Sequence, residues 1–169
     1  MWIHKPVLLQ EVLSYVAIYP EGVYVDATVG LGGHAEAILE HTGPHSKLIG
    51  IDRDKEALEI SRKRLERFGN RVHLIHGTFS ELRKSITQAG FSKVNAIFFD
   101  LGVSSLQLEH AERGFSFQKN GPLDMRMDRQ QKVKAADIIN SLSEGELEKI
   151  LKSHAQEKYA RRIARRIVR

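Results

Sequence analysis

A glycine-rich segment and the aspartate that follows it are the residues of this chain with the clearest chemical potential. Gly30, Gly32 and Ala35 match the pattern G-x-G-x-x-[G/A], whose glycines let the backbone turn tightly and approach a ligand. Asp52 comes 22 residues after Gly30, at the end of a predicted strand, where a carboxylate can accept both hydroxyls of a ribose. This spacing predicts a site for a nucleoside cofactor, either a nicotinamide dinucleotide or S-adenosylmethionine.

Asp26 distinguishes these two cofactors. It precedes Gly30 by four residues, where a dinucleotide would bring its doubly anionic pyrophosphate and be repelled by the carboxylate. S-adenosylmethionine has no phosphate and carries a sulfonium and an ammonium group, so a nearby carboxylate favours it. The segment therefore favours a methyl donor, while a nicotinamide cofactor and a purely structural glycine turn stay open as alternatives.

Two more residues follow predicted strands and are expected at the same edge of the sheet. The ring of Phe79 could stack on an adenine, or it could be a core residue of the next helix. Asp100 ends a strongly apolar strand, where a carboxylate needs a polar partner such as a ligand. It could also cap a helix or form a turn.

The elements that must position these residues alternate along the first part of the chain. Short apolar runs rich in β-branched residues are separated by segments with helical spacing, which predicts a parallel α/β sheet with helices on both faces. One helix carries an apolar stripe that includes Ala57, Leu58 and Leu65 and is expected to end at Gly69. The predicted strands cover residues 23–29, 47–52, 71–75 and 95–100.

Composition limits the function classes. The chain has 169 residues, is 41% hydrophobic and 28% charged, and contains no cysteine, which excludes disulfides and thiolate chemistry. The absence of cysteine favours a cytoplasmic protein. No apolar run is long enough to cross a membrane, so no membrane partner is expected. The eight histidines lack metal-ligand spacing, and His73 and His76 fit a strand better, so no metal site is expected.

The chain divides into two regions of different character. Residues 1–102 carry 12 basic and 12 acidic side chains, whereas residues 103–169 carry 14 and 9 and hold the entire net charge of +5. The second region is rich in turns and then helical from about Ala135.

The fourth predicted strand would be an apolar sheet edge, which leaves three possibilities. The helical region covers it, a partner supplies more strands, or the chain is the front part of a longer protein. The last of these is the favoured expectation.

The final segment predicts a basic helix. Its cations recur at helical spacing, and Ala160, Ile163, Ala164 and Ile167 lie on another face. Such a stripe suits a phosphate backbone, although most charge runs are only solvated faces. The cations are Lys158, Arg161, Arg162, Arg165, Arg166 and Arg169.

Two other segments of the second region carry patterned residues. Phe115 and Phe117 alternate in a loop, where they could stack on an extruded base or anchor the loop. Asp124, Arg126 and Asp128 alternate with two methionines, as on an extended segment with one polar face.

Several blocks of the sequence closely resemble the ribosomal RNA small subunit methyltransferase H family. The two blocks 112–117 and 121–128 are long and chemically unusual, and the resemblance covers essentially the whole chain. The blocks are residues 4–9 (HKPVLL), 26–34 (DATVGLGGH), 100–105 (DLGVSS), 112–117 (ERGFSF), 121–128 (GPLDMRMD) and 157–164 (EKYARRIA).

The resemblance implies a Rossmann-like class I methyltransferase that uses S-adenosylmethionine to methylate the N4 amine of a cytosine in the decoding region of 16S ribosomal RNA. Family members are nearly twice this long, so the chain looks like the front half of the sheet (1–102) plus part of a helical insertion (103–169). By resemblance the cofactor-contacting residues are Gly32, Gly33, His34, Asp52, Phe79, Asp100 and Gln107.

The catalytic residue and the state of the substrate stay open. Related amino methyltransferases place an acid or amide before Pro-Pro-aromatic after the fourth strand. Asp100 occupies the corresponding place, but Leu101, Gly102 and Val103 replace the other residues, so Asp100 is a candidate only. The partner is expected to be ribosomal RNA, free or in the 30S subunit, and the oligomeric state is undetermined. A non-catalytic cofactor-binding or RNA-binding remnant is the alternative function.

Overall fold

A computed structural model describes residues 6–16 and 19–169 of the chain, so His4 and Lys5 of the first family block lie outside it. The described strands are β1 (Val23–Asp26), β2 (Lys47–Asp52), β3 (Val72–His76) and β4 (Ala96–Phe98). The helices are α1 (Leu9–Val16), α2 (Gly33–His41), α3 (Lys55–Leu65), α4 (Leu82–Gln88), α5 (Ser105–Glu109), α6 (Ala135–Ser141), α7 (Glu144–Ala155) and α8 (Ala160–Val168).

The four strands form one parallel sheet in the order β3-β2-β1-β4. This is the order of the front half of a doubly wound fold, in which the chain reverses its direction of travel between β1 and β4. Ligands of such sheets bind at the carboxyl ends of the strands beside this reversal. The predicted parallel α/β, Rossmann-like architecture is confirmed.

All four predicted strands are present, and the early ends of β1 and β4 have local causes. β2 occupies the predicted residues, but β1 ends three residues early, because the Thr28 amide donates to the Asp26 carboxylate at 3.2 Å and turns the chain. β4 ends early as well, because the Asp100 amide donates to the hydroxyl of Thr28 at 2.7 Å instead of to a strand. Both shortenings leave aspartates at the carboxyl edge of the sheet.

The core lies on both faces of the sheet, as the sequence predicts. Alternate residues of a strand point to opposite faces, and Tyr24 and Val25 are accordingly both buried but belong to different clusters. Leu58 and Leu65 of the α3 stripe are buried in the larger cluster. α3 itself ends at Leu65, and a 3-10 segment (Glu66–Arg71) continues past the predicted end at Gly69.

The chain forms two compact units, residues 1–106 and residues 107–169. In the second unit a series of three helices, α6 to α8, begins at Ala135, where helical spacing was predicted to begin. α7 and α8 pack together through Leu147, Ala160 and Ala164, which are all buried. α7 begins with a capping box between Ser143 and Glu146.

The extended segment predicted for residues 124–128 is wrong. Met125 has a left-handed backbone with φ of 58°, which breaks the alternation and folds the segment into a loop. Asp124 and Arg126 form an ion pair inside this loop, 2.7 Å between Oδ2 and Nη2. The guanidinium of Arg113, which is also buried, donates to the carbonyls of Arg126 and Met127.

β4 is an edge of the sheet in the part of the chain that the structure describes. Its only strand partner there is β1, and the side chains of Ile97, Phe99 and Leu101 are exposed. None of the described helices is both long enough and apolar enough to span a bilayer.

Candidate cofactor-binding site

The glycine segment forms a tight turn between β1 and α2. Gly30 and Gly32 have positive φ angles of 50° and 81°, and Gly32 occupies the N-cap position of α2. A side chain on Gly32 would also place its Cβ 3.2 Å from the Cβ of Ser61. Backbone conformation and crowding together therefore favour glycine here, and the Gly32 amide closes the turn by donating to the Val29 carbonyl at 2.8 Å.

Asp52 connects the end of β2 to this turn. Its Oδ2 accepts a hydrogen bond from the Gly30 amide at 2.8 Å, and its Oδ1 accepts one from the Asp54 amide at 2.8 Å. Burial raises the pKa of Asp52, and these backbone hydrogen bonds act in the opposite direction. Each carboxylate oxygen has further lone pairs with which it can accept a ligand hydroxyl.

Asp26 is the most deeply buried acid of the site. It is 1% exposed, and burial raises its pKa to about 7, while a hydrogen bond from the Thr28 amide lowers it. The negative charges of Asp52 and Asp100 raise the pKa further, although by less. The carboxyl edge of the sheet therefore concentrates negative charge, which a bound cation would stabilise.

His34 lies in the first turn of α2 and is 7% exposed. Its Nε2 is 2.8 Å from the Val7 carbonyl oxygen, and because a carbonyl only accepts, Nε2 is the donor. Its Nδ1 is 3.9 Å from Oδ2 of Asp100, and its ring lies 4.7 Å from that of Phe98. His34 therefore links α2 to the end of β4 and faces the Asp100 carboxylate.

The aromatic residue beyond β3 is not a core residue. Phe79 is 49% exposed, and its ring meets that of Phe99 edge to face at a centroid distance of 5.9 Å. The side chain of Asp100 is 52% exposed. These exposed groups follow β3 and β4, at the edge where the glycine turn lies.

The structure thus brings together most of the residues expected to contact a cofactor. Gln107 is buried on α5 and belongs to the second unit, so its role stays a prediction from the resemblance. Two residues that sequence reasoning did not select are Thr28, which accepts from the Asp100 amide, and Phe99, which pairs with Phe79. Thr28 could have been found, because it lies within the turn next to Asp26.

No metal centre is built from the described residues. None of their histidine, aspartate and glutamate side chains form a group of three or more that could hold an ion. His73 and His76 lie in β3, as predicted.

Comparison with known proteins identifies the family. The family model described as the MraW methylase family matches residues 1–169.

The chain belongs to the MraW methylase family.

Curated relatives of this family carry the name ribosomal RNA small subunit methyltransferase H. The protein from Caldicellulosiruptor bescii is 48% identical over 168 residues, which are 99% of this chain and 54% of that protein. The protein from Geobacter sulfurreducens is 49% identical over 166 residues, which are 98% of this chain and 53% of that protein. The chain therefore spans about half the length of the curated relatives it matches, and the family predicted from the sequence blocks is confirmed.

A solved structure agrees with the fold. A crystal structure of a candidate rRNA methylase from Clostridium thermocellum superposes with a TM-score of 0.50 at 24% identity. The match covers 62% of this chain and 57% of that one. At this identity the likeness supports the fold alone.

Proposed function

We propose that the carboxyl edge of this sheet binds S-adenosylmethionine, and that the chain supplies the cofactor half of a ribosomal RNA methyltransferase. The observation that carries the proposal is the position of Asp26 and Asp52 on either side of a glycine turn with two positive φ angles. Membership of the MraW methylase family supports the same cofactor.

The charge of the site supports a cationic cofactor over a dinucleotide. Asp26 is buried with its pKa near 7, so a sulfonium or ammonium group nearby would favour its ionised form. A pyrophosphate would add two negative charges beside three carboxylates, those of Asp26, Asp52 and Asp100, and would be repelled.

The residues around the turn fit the parts of the methyl donor. Asp52 would accept the ribose hydroxyls with the lone pairs that Gly30 and Asp54 leave available. Phe79 offers an exposed ring for the adenine. The backbone of Gly32 and Gly33 would face the methionine portion, with His34 behind it.

The acceptor in this proposal is the exocyclic N4 of a cytosine. That nitrogen is a poor nucleophile, because its lone pair is delocalised into the ring, so the enzyme must align it with the methyl group and accept its proton. Asp100 is the candidate acceptor, because its side chain is half-exposed at the end of β4, 3.9 Å from Nδ1 of His34. The bond from nitrogen to the methyl carbon forms as the bond from carbon to sulfur breaks.

The substrate would be the decoding region of 16S ribosomal RNA, either free or within the 30S subunit, and the location would be the cytoplasm. The names of the curated relatives support small-subunit ribosomal RNA as the substrate.

Transfer of a labelled methyl group tests the proposal. The chain would be incubated with methyl-labelled S-adenosylmethionine and 16S ribosomal RNA, free or in 30S subunits, and the RNA digested to nucleosides. We expect the label in N4-methylcytidine and, at saturating S-adenosylmethionine, a lower rate for Asp100→Asn. Unlabelled RNA from a chain that binds the cofactor would reduce the protein to a cofactor-binding remnant.

A further inference from the structure

We propose that the exposed face of α8 is a binding surface for single-stranded RNA, with cations for the phosphates and Tyr159 as a stacking platform. The inference rests on the proposed function, since it places the RNA contact of that enzyme. The surface, called the α8 surface below, consists of Lys158, Tyr159, Arg161, Arg162, Arg165, Arg166 and Arg169.

The helix separates its apolar and basic residues. Ala160 and Ala164 are fully buried against α7, while all six cations are exposed. The apolar side is packed at Ala160 and Ala164, whereas the side chains of Ile163, Ile167 and Val168 stay exposed. The exposed ring of Tyr159 beside these cations favours a nucleic acid, which offers bases as well as phosphates, over an anionic lipid surface.

Most of the positive charge on the α8 surface is available to a ligand. Among the residues that the structure describes, Arg165 forms the one ion pair of this set, 3.3 Å from Nε to Oε1 of Glu144. The neighbouring acid of α7, Glu148, instead binds Lys152 at 2.8 Å. The hydrogen bond from Lys152 lowers the pKa of Glu148, and the charge of Arg161 lowers it further. Arg161 and Arg162 nevertheless form no ion pair among the described residues and can meet phosphates.

An exposed aromatic ring stands at the start of the basic face. Tyr159 is 66% exposed, and its amide donates to the Glu157 carboxylate at 2.8 Å, which fixes the backbone at this point. Tyr159 lines a groove of about 490 Å³ together with Lys158, Arg161, Arg162 and Arg165. Cations that follow a backbone beside a ring that stacks a base are typical of sites for single-stranded nucleic acid.

The test measures RNA affinity as a function of salt concentration, without S-adenosylmethionine. A labelled single-stranded RNA of mixed sequence would be titrated with the chain, the triple variant Arg161→Gln/Arg162→Gln/Arg166→Gln and the matched control Lys55→Gln/Arg62→Gln/Lys63→Gln. The control removes three exposed cations from α3 and changes the net charge equally. Circular dichroism would verify that each variant is folded.

Log K falls as log salt concentration rises, and each phosphate contact on a single strand contributes about 0.7 to the steepness of this fall. Removing three contacts should therefore make the slope shallower by about 2. We expect RNA binding at least tenfold weaker at roughly 0.1 M salt for the α8 variant and unchanged for the control. Tyr159→Ala should weaken binding without changing the slope, and Tyr159→Phe should restore it.

A triple variant with the affinity and slope of the original chain would overturn the proposal. Competition by polyglutamate as strong as that by RNA of equal charge would also overturn it, in favour of an acidic protein partner. Failure of this proposal can be distinguished from failure of the proposed function. RNA methylation that survives the triple variant contradicts only the α8 surface, and salt-dependent RNA binding by a chain that ignores the methyl donor contradicts only the cofactor assignment.

Discussion

The carboxylate of Asp52 accepts a 2.8 Å hydrogen bond from the amide of Gly30. The end of β2 is thereby joined to the turn that follows β1, and two motifs 22 residues apart become one structure. A ligand that binds Asp52 therefore also meets the glycine turn. This coupling explains why a ribose-binding carboxylate and a close backbone approach occur together here.

Removing the charge of Asp52 should weaken binding of S-adenosylmethionine. Asp52→Asn keeps an oxygen for the Gly30 amide but loses the ionised acceptor for the ribose, whose hydrogen bonds contribute about 1.5–3 kcal/mol. Calorimetry should show a loss of affinity of about 10-fold to 100-fold. Glu59→Gln removes a charge from the exposed face of α3 and should change nothing. Equal affinities for Asp52→Asn and the original chain would exclude Asp52 from the site.

Asp26 should make the protein less stable as pH rises. Its pKa is raised by burial to about 7, so between pH of about 4 and 7 the unfolded state releases a proton that the folded state keeps. The free energy of unfolding should therefore fall across this range by an amount on the order of 4 kcal/mol. Urea unfolding at pH 5 and at pH 8 should show a much smaller loss of unfolding free energy for Asp26→Asn than for the original chain. Parallel declines for the two proteins would contradict the assignment.

The same titration should couple to ligand binding. A cation beside Asp26 favours its ionised form, so binding of S-adenosylmethionine should release a proton near pH 7 and strengthen as pH rises. The ligand's own amine titrates nearby, and comparison with Asp26→Asn cancels this contribution. Calorimetry in buffers of different ionisation enthalpy would measure the released proton. Equal proton release by the original chain and Asp26→Asn would mean that the cationic groups of the ligand do not bind beside Asp26.

Gly32→Ala should destabilise the protein more than Gly90→Ala. Both glycines have positive φ angles, of 81° and 89°, so each substitution carries a backbone cost of about 1–2 kcal/mol. A Cβ at Gly32 would also crowd Ser61, whereas a Cβ at Gly90 meets nothing within 4 Å. Urea unfolding should show a loss of roughly 2–5 kcal/mol for the first variant and about 1 kcal/mol for the second. Similar losses would mean that crowding adds nothing.

The pair Asp124–Arg126 should stabilise the second unit. Arg126 holds the pKa of the Asp124 carboxyl at about 2, so this stabilisation is complete above a pH of about 4 and is lost as pH falls towards 2. Asp124→Asn removes the charge partner of Arg126, whose side chain is 14% exposed, and should lower stability at pH 7 more than loss of a surface pair does. Glu81→Gln breaks the exposed pair with Lys84 and should cost less than about 1 kcal/mol. Chemical denaturation that ranks the two variants in the opposite order would contradict this interpretation.

Local patterns predicted the elements that depend on local sequence. The β-branched run of residues 47–52 became β2 with its predicted bounds, and the helical spacing after Ala135 became three helices. Asp26 and Asp52 could be selected, because strand ends and glycine spacing are both visible in one sequence. The strand ends were less predictable, because side chains of other segments decide them, as Thr28 does for Asp100.

Contacts between distant segments could not be predicted. The burial of Arg113 depends on carbonyls that Arg126 and Met127 supply from a loop 13 and 14 residues away. The left-handed backbone of Met125 breaks an alternation that looked extended. His34 was implied by resemblance, but its place between the Val7 carbonyl and Asp100 follows only from the fold.

Titration of S-adenosylmethionine into the purified 169-residue chain, with NAD as the control, tests the central claim most directly. Calorimetry would measure affinity and stoichiometry, and circular dichroism would establish that the chain is folded. The account predicts one bound S-adenosylmethionine per chain and no binding of NAD. A folded chain that binds NAD, or that ignores S-adenosylmethionine, would contradict it.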